Sequence, residues 1–177
     1  MNKKIGLSIV IPVLNESNNI DILTNKIIQN LKKINFELIF VDDNSIDKSK
    51  KILNFLKKKY KFFKPIFRKK KRDLTQSCFE GIKKSKFDKI LIMDGDMQHD
   101  PKYIKPMLKI IKKYDCDIVV GARPLVKGPN QGLSEMRRFA SNLLIFLFSV
   151  FNIKTTDPMS GFFLFKKNIY IKNKKFF

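Results

Sequence analysis

Along the chain, apolar and polar positions follow two alternating periods. Leu7-Ser8-Ile9-Val10-Ile11-Pro12-Val13 is a nearly continuous, β-branched apolar run that breaks at a polar segment, as expected of a strand buried on both faces. From Ser17 onward Ile20, Leu23, Ile27, Leu31 and Ile34 recur every three or four residues, which predicts a helix with one apolar stripe. Phe36–Val41 predicts a second strand, ending at Asp42-Asp43, and Ser45 is placed to cap a helix carrying Ile52, Leu53, Leu56 and Tyr60. Phe62–Phe67 predicts a third strand, and Asp73 caps a helix with Leu74, Cys78 and Ile82 on one side. Lys89–Met93 is a fourth strand running straight into Asp94-Gly95-Asp96. Pro101 suits the first turn of a helix with Ile104, Met107, Leu108 and Ile111 inward, and Ile118–Val120 is a fifth strand before Gly121.

Strands alternating with helices at these distances predict an α/β fold: a doubly wound, mostly parallel sheet with helices on both faces. Beyond Gly121 the pattern changes. Residues 122–133 hold two Pro and two Gly and read as a loop. An apolar helix follows around Leu143–Phe151, flanked by Arg137 and Arg138, and Ser160–Phe165 predicts a last strand before a basic tail.

The 177 residues suffice for one domain with a genuine core, and 44% hydrophobic content with 17 Phe excludes a disordered chain. Cys78 and Cys116 form neither a metal-ligand spacing nor a disulfide framework, which suits a reducing compartment. The start of the chain shows no secretory h-region, and no apolar stretch reaches the ~18 residues of a membrane span. Thirty-seven Lys+Arg against 16 Asp+Glu give a net charge of +21, with clusters at Lys57-Lys58-Lys59 and Lys69-Lys70-Lys71-Arg72. Such clusters suit nucleic acid, an anionic membrane face or phosphorylated substrates, and a Lys-, Ile-, Asn- and Phe-rich composition produces them with no ligand at all. No zinc-finger or RNP-type motif accompanies them, so no specific nucleic-acid partner is expected.

The chemistry concentrates where ligands bind such sheets, beyond the carboxyl ends of the strands. Asp94-Gly95-Asp96 sets two carboxylates one residue apart, a donor set for Mg²⁺ or Mn²⁺ completed by substrate phosphates, with Gln98, His99 and Asp100 close behind. Asp42-Asp43 is suited to accept hydroxyl or amide donors from a nucleoside. The turn after the first strand, Pro12-Val13-Leu14-Asn15-Glu16, lacks the dinucleotide glycine fingerprint, and no Walker A sequence is present. Two acidic clusters without a glycine-rich phosphate loop suggest that a metal rather than backbone amides holds a diphosphate. His99 also reads as an ordinary exposed loop residue.

Four segments in order, Pro12–Ile20, Val41–Asp47, Met93–Pro101 and Asp117–Arg123, closely resemble family 2 glycosyltransferases of the GT-A fold. Within that family the chain is most similar to polyprenyl-phosphate glycosyltransferases of the dolichol-phosphate mannosyltransferase kind. Arg138-x-x-Ser141 and Asp157-Pro-Met-Ser-Gly161-Phe162 extend the resemblance to about residue 167. It implies a glycosyltransferase domain over 1–167 with a basic tail over 168–177. It also implies inverting transfer of a mannose- or glucose-type sugar from a nucleotide diphosphate-sugar to a polyprenyl phosphate. By the same resemblance Pro12, Leu14, Glu16, Val41 and Asp43 line the nucleotide pocket. Asp94, Gly95, Asp96 and Gln98 hold diphosphate and Mg²⁺ or Mn²⁺, with Asp94, Asp96 and Gln98 as the metal set. Arg123 lies by the sugar phosphate, Arg138 and Ser141 face the acceptor phosphate, and Asp96, Arg123, Arg138 and Ser141 form the catalytic group. Leu14 departs from the pattern, standing where an aromatic is common.

The resemblance further implies a peripheral protein on the cytoplasmic face of an anionic membrane, with a membrane-anchoring partner as a further expectation. A non-processive glycan or surface-polysaccharide transferase is the alternative within the family; a processive one would carry a Q-x-x-R-W element, and the chain has no Trp. An inactive nucleotide-binding module is the alternative outside it. Family members continue past the Ser-Gly-Phe strand, so the 177 residues alone are expected to bind nucleotide and to transfer weakly or not at all.

Overall fold

The computed structural model describes residues 6–122 and 160–172. The strands are β1 (Gly6–Val13), β2 (Asn35–Asp42), β3 (Phe63–Phe67), β4 (Lys89–Ile92), β5 (Ile118–Val120) and β6 (Phe163–Lys166). The helices are α1 (Ile20–Leu31), α2 (Ser49–Lys59), α3 (Leu74–Lys84), α4 (Ile104–Lys113) and α5 (Lys167–Lys172), and a 3-10 turn at Pro101–Tyr103 leads into α4. They build one six-stranded sheet in the order β3-β2-β1-β4-β6-β5. The first four strands in that order are parallel, and β6 runs antiparallel between β4 and β5. The mostly parallel, doubly wound sheet expected from the alternation is therefore present, with a reversed strand inserted near one edge.

Two side-chain clusters show why helices cover both faces. Leu7, Ile9, Ile11 and Val13 of β1 point into a cluster with Ile20, Leu23 and Ile27 of α1, Leu53 and Leu56 of α2, and Met107 and Ile111 of α4. Val10 of the same strand points the other way, with Ile39 and Val41, to meet Cys78 and Ile82 of α3 and Ile169 and Tyr170 of α5. The period-two alternation of a pleated strand thus divides one apolar run between two cores. The chain steps outward from β1 to β2 to β3 through α1 and α2, then returns through α3 to β4 on the other side of β1. With right-handed crossovers that return places α3 on the opposite face and puts the topological switch point between β1 and β4.

Several local expectations change. Ser45 does not cap α2: the helix begins four residues later, at Ser49, and Ser45 Oγ accepts the Asn15 N–H instead, at 2.9 Å. Ile34 lies past the end of α1, in a turn closed by its N–H on Leu31 O at 2.8 Å. Asp73 does cap α3, accepting from the Gln76 N–H at 2.9 Å. Residues 168–172, expected to open a basic tail, belong to α5, because Ile169 and Tyr170 find a place in the second core cluster. The apolar helix expected around Leu143–Phe151 lies outside the described residues, as do Arg123, Arg138 and Ser141.

Candidate active site

A cleft of about 320 Å³ opens at the carboxyl ends of β1, β2 and β4, lined by Pro12, Val13, Leu14, Glu16, Asp43, Arg72, Asp73, Leu74, Asp94 and Gly95. Its walls are the loops after each parallel strand at the switch point, where a parallel sheet leaves room for a ligand.

Cross-loop hydrogen bonds hold the first wall. After β1, the N–H groups of Asn15, Glu16 and Ser17 donate in turn to Ser45 Oγ at 2.9 Å, Ser49 Oγ at 3.1 Å and Asp47 Oδ2 at 3.0 Å. Asn15 Oδ1 returns the contact by accepting the Ile46 N–H at 2.9 Å. Asn15 and Asn44 sit at φ 59° and 62°, a left-handed region that Asn tolerates better than most residues because its short amide bonds locally. The Asn-Glu-Ser and Asn-Ser-x-Asp segments are thus two halves of one zipper that presents Glu16 to the cleft. Partial burial raises the Glu16 carboxyl above its ordinary range. The Asn19 amide, bonded to Oε2 at 2.6 Å, opposes the rise, and the nearby charges of Asp96 and Asp47 reinforce it. Asp47 moves the other way: burial alone would raise it, but hydrogen bonds from Ser49 and Ser17 outweigh that and hold it at about 2.

The second wall is built on Asp43, which is buried together with Arg68. Arg68 Nη1 donates to Asp43 Oδ1, to Asp73 O at 3.0 Å and to Ser77 Oγ at 3.1 Å, while Nε reaches Glu80 at 3.1 Å. Asp43 Oδ2 accepts the Asp73 N–H at 2.6 Å. One guanidinium therefore joins the end of β2 to the start of α3. This is the fixed-fork geometry for which Arg suits buried carboxylates. Asp42 is also fully buried and accepts from the Ser45 N–H at 3.3 Å.

The third wall is Asp94-Gly95-Asp96. A Cβ on Gly95 would stand 2.7 Å from Val13 Cγ1 and 3.5 Å from Pro12 O, so glycine is what lets this loop pack against the end of β1. Asp94 is cradled from the other side: a Cβ on Gly161 would lie 2.2 Å from its Oδ2 and 2.9 Å from its Oδ1. Asp96 Oδ1 accepts the Gln98 N–H at 3.0 Å, and between them Met97 holds φ 67°, a conformation that costs an unbranched residue roughly 1–2 kcal/mol. Strain of that size beside paired carboxylates is common where a backbone is held for a ligand.

The structure brings Pro12, Leu14, Glu16, Asp43, Asp94 and Gly95 together on one cleft, with Asp96 and Gln98 following on the same loop. Val41 does not line it; its side chain is fully buried in the α3-side cluster. His99, read as an exposed loop residue, is instead buried with its ring stacked on Phe162 at 5.1 Å. Arg72, Asp73 and Leu74 line the cleft and Arg68 braces it, and the sequence did not single them out as site residues. Their position directly after the third strand, at the carboxyl edge, was the available signal. Among the described residues no group of three or more His, Cys, Asp or Glu converges on one point. A metal here would take its remaining ligands from the substrate and water, which is how Mg²⁺ and Mn²⁺ bind through one or two carboxylates. The cradle around Asp94 and the oxygen-only donors fit such an ion.

The fold has counterparts among known proteins. A dolichol-phosphate mannosyltransferase of Pyrococcus furiosus is 31% identical over 166 residues, covering 92% of this chain and 47% of its own. The dolichol-phosphate mannosyltransferase of Saccharomyces cerevisiae is 30% identical over 178 residues, covering 96% of this chain and 63% of its own. The chain therefore spans between about half and two thirds of the length of these relatives. Among solved structures, Staphylococcus aureus TarS 1-349 in complex with UDP superposes with a TM-score of 0.67 at 16% identity, over 96% of this chain and 49% of that one. The mannosyltransferase PcManGT of Pyrobaculum calidifontis, in complex with GDP-Man and Mn²⁺, gives 0.64 at 14% identity, over 94% and 46%. Both share the GT-A fold described above. The profile of glycosyl transferase family 2 matches residues 8–173, so the chain belongs to that family.

Proposed function

We propose that the chain carries the donor site of an inverting glycosyltransferase that moves a sugar from a nucleotide diphosphate-sugar to a polyprenyl phosphate. The observation that carries the reading is the cleft at the switch point, with Asp94 and Asp96 on one wall, the Asp43–Arg68 pair on another, and no glycine-rich loop for a diphosphate. The names of the two curated relatives support the acceptor, and the complexes of the solved neighbours support a nucleotide-sugar donor.

Asp94 and Asp96 would hold a Mg²⁺ or Mn²⁺ ion, with Gln98 beside them, and when bound it would neutralise charge on the departing diphosphate. Pro12, Leu14 and Asp43 would seat the nucleoside, and Arg72 brings a cation to a cleft whose other charged groups are carboxylates. An acceptor phosphate oxygen attacks the anomeric carbon, the bond to the diphosphate oxygen breaks with its electron pair, and configuration inverts. A phosphate monoester is already ionised near neutral pH and needs no strong general base. Arg123, Arg138 and Ser141 belong to this proposal as sugar-phosphate and acceptor residues. No helix among the described residues is long and apolar enough to cross a membrane.

The test has two arms. Thermal denaturation with GDP or UDP at about 100 times Kd should raise Tm by roughly 5–10 °C in the presence of Mn²⁺, and Asp96→Asn should abolish the rise without lowering the Tm of the free protein. Incubation with the labelled nucleotide sugar should then move label into an organic-extractable product when polyprenyl phosphate is present. Metal-independent binding unaffected by Asp96→Asn would defeat the donor assignment. Transfer only to a soluble glycan would defeat the acceptor assignment.

A further inference from the structure

The layer formed by α1, α2 and α4 has an outer surface that none of the chemistry above uses. Its three helices carry ten lysines against one carboxylate, Asp21. On the opposite face α3 and α5 together carry Lys83, Lys84, Lys167 and Lys172 with Glu80, so the larger excess of charge lies on the α1–α2–α4 side of the sheet. The apolar exposure is just as one-sided. Seven large hydrophobic side chains are exposed among the described residues, and five of them, Ile22, Phe55, Tyr103, Ile110 and Tyr114, sit on or at the ends of this layer. Each of its three exposed aromatics also has a lysine ammonium at its ring. Lys59 lies 6.0 Å from Phe55, Lys102 5.1 Å from Tyr103 and Lys113 5.0 Å from Tyr114.

An exposed Phe is costly in water, and a cationic helix layer repels itself. Both costs are relieved at once where aromatic rings enter the headgroup region and ammonium groups meet lipid phosphates. Nucleic acid would satisfy the lysines, but the layer is a row of packed helices rather than a basic groove, and it exposes Ile22 and Ile110 as well as rings. We propose that the outer surface of the α1–α2–α4 layer is the face by which this chain lies on an anionic lipid bilayer. The inference rests on the proposed lipid-phosphate acceptor for its purpose, and on the distribution of charge and exposed apolar groups for its location.

The experiment is cosedimentation of the chain with phosphatidylcholine vesicles and with vesicles containing phosphatidylserine. Binding should require the anionic lipid. Neutralising Lys51, Lys57, Lys58 and Lys59 to Gln should weaken it by roughly fivefold per lysine that reaches the surface. Phe55→Ala should weaken it with every lysine retained. Lys83→Gln with Lys84→Gln, on the opposite face, should leave it unchanged. GDP- or UDP-dependent stabilisation measured without lipid should be the same in all variants, which separates failure of the docking face from failure of the donor site. Equal loss in the opposite-face variant, full binding by the four-lysine variant, or preference for single-stranded RNA over the anionic vesicles would each overturn the proposal.

Discussion

Gly161→Ala is the sharpest test of how the acidic loop is held. The new methyl would lie 2.2 Å from Asp94 Oδ2, 2.8 Å from its Cγ and 2.9 Å from its Oδ1. Ordinary contact needs roughly 3.5 Å, so one group must retreat by about 1 Å. The carboxylate is the end of a side chain and the methyl is fixed to backbone just ahead of β6, so the carboxylate yields. Turning it off its rotamer costs about 0.5–1.5 kcal/mol, which for a domain of this size lowers Tm by roughly 1–6 °C. The effect on the site is larger, because disturbing what orients a proposed metal ligand costs on the order of 10- to 100-fold in metal affinity. Calorimetric titration of GDP or UDP with and without Mn²⁺ should show the metal-dependent part of binding reduced by that order while the protein stays folded. The double variant Asp94→Asn with Gly161→Ala should be no weaker than Asp94→Asn alone, since both act through one carboxylate. Undiminished binding by Gly161→Ala, or additive losses in the double variant, would show that Gly161 does not work through Asp94.

Arg68→Ala should cost about 3–5 kcal/mol in denaturant unfolding, because it strands the buried Asp43 carboxylate with only the Asp73 N–H, and it should weaken nucleotide binding as well. Glu37→Ala should destabilise by roughly 3 kcal/mol yet leave nucleotide binding intact. Its Oε1 accepts Ser8 Oγ at 2.5 Å and the Lys86 N–H at 2.7 Å, its Oε2 faces the Lys64 ammonium at 2.7 Å as an ion pair, and all of this lies toward the amino ends of the strands, away from the cleft. Asp47 is held at about 2 against an ordinary 3.8, a depressed folded value, so its contribution to stability is complete above about pH 4 and disappears as pH falls through 2. Asp47→Asn should therefore flatten the fall in Tm between pH 4 and 2 and change its slope little above pH 5.

Much of the sheet was legible because its signals are local. The run Leu7–Val13 and the three-to-four spacing in α1 each carry their own period, and Asp73 caps α3 as its type and position predict. What could not be read was competition among neighbours. Ser45 has the chemistry of a helix cap, but α2 begins only at Ser49 and Ser45 Oγ accepts the Asn15 N–H of the adjoining loop, so the cap gives way to the zipper. His99 has the chemistry of a loop residue or a ligand, yet the Phe162 ring offers it a stacking surface that only the folded sheet creates. Val41 was placed at the pocket by resemblance, whereas the strand's alternation turns it into the α3-side core and leaves Asp43, two residues on, at the rim.

The position of β6 explains why the acidic loop needs a distant glycine. Had the last strand joined the sheet outside β5, Gly161 would be a full strand away from Asp94. Antiparallel insertion between β4 and β5 pairs Ile92 with Phe163 and so brings the residues just before β6 alongside those just after β4. At that junction Ser160 Oγ donates to Gly121 O at 2.6 Å, Gly121 N–H donates to Phe162 O at 2.7 Å, and Phe162 carries His99 on its ring. Three strand ends are thereby tied at one point, and Asp94 fits only because the residue facing it has no side chain. The Ser-Gly-Phe segment, which in the sequence opens a predicted strand and carries part of a resemblance, thus has a further physical role. Ser fastens β5, Phe fastens the loop after Asp96, and Gly leaves the space in which the Asp94 carboxylate is held.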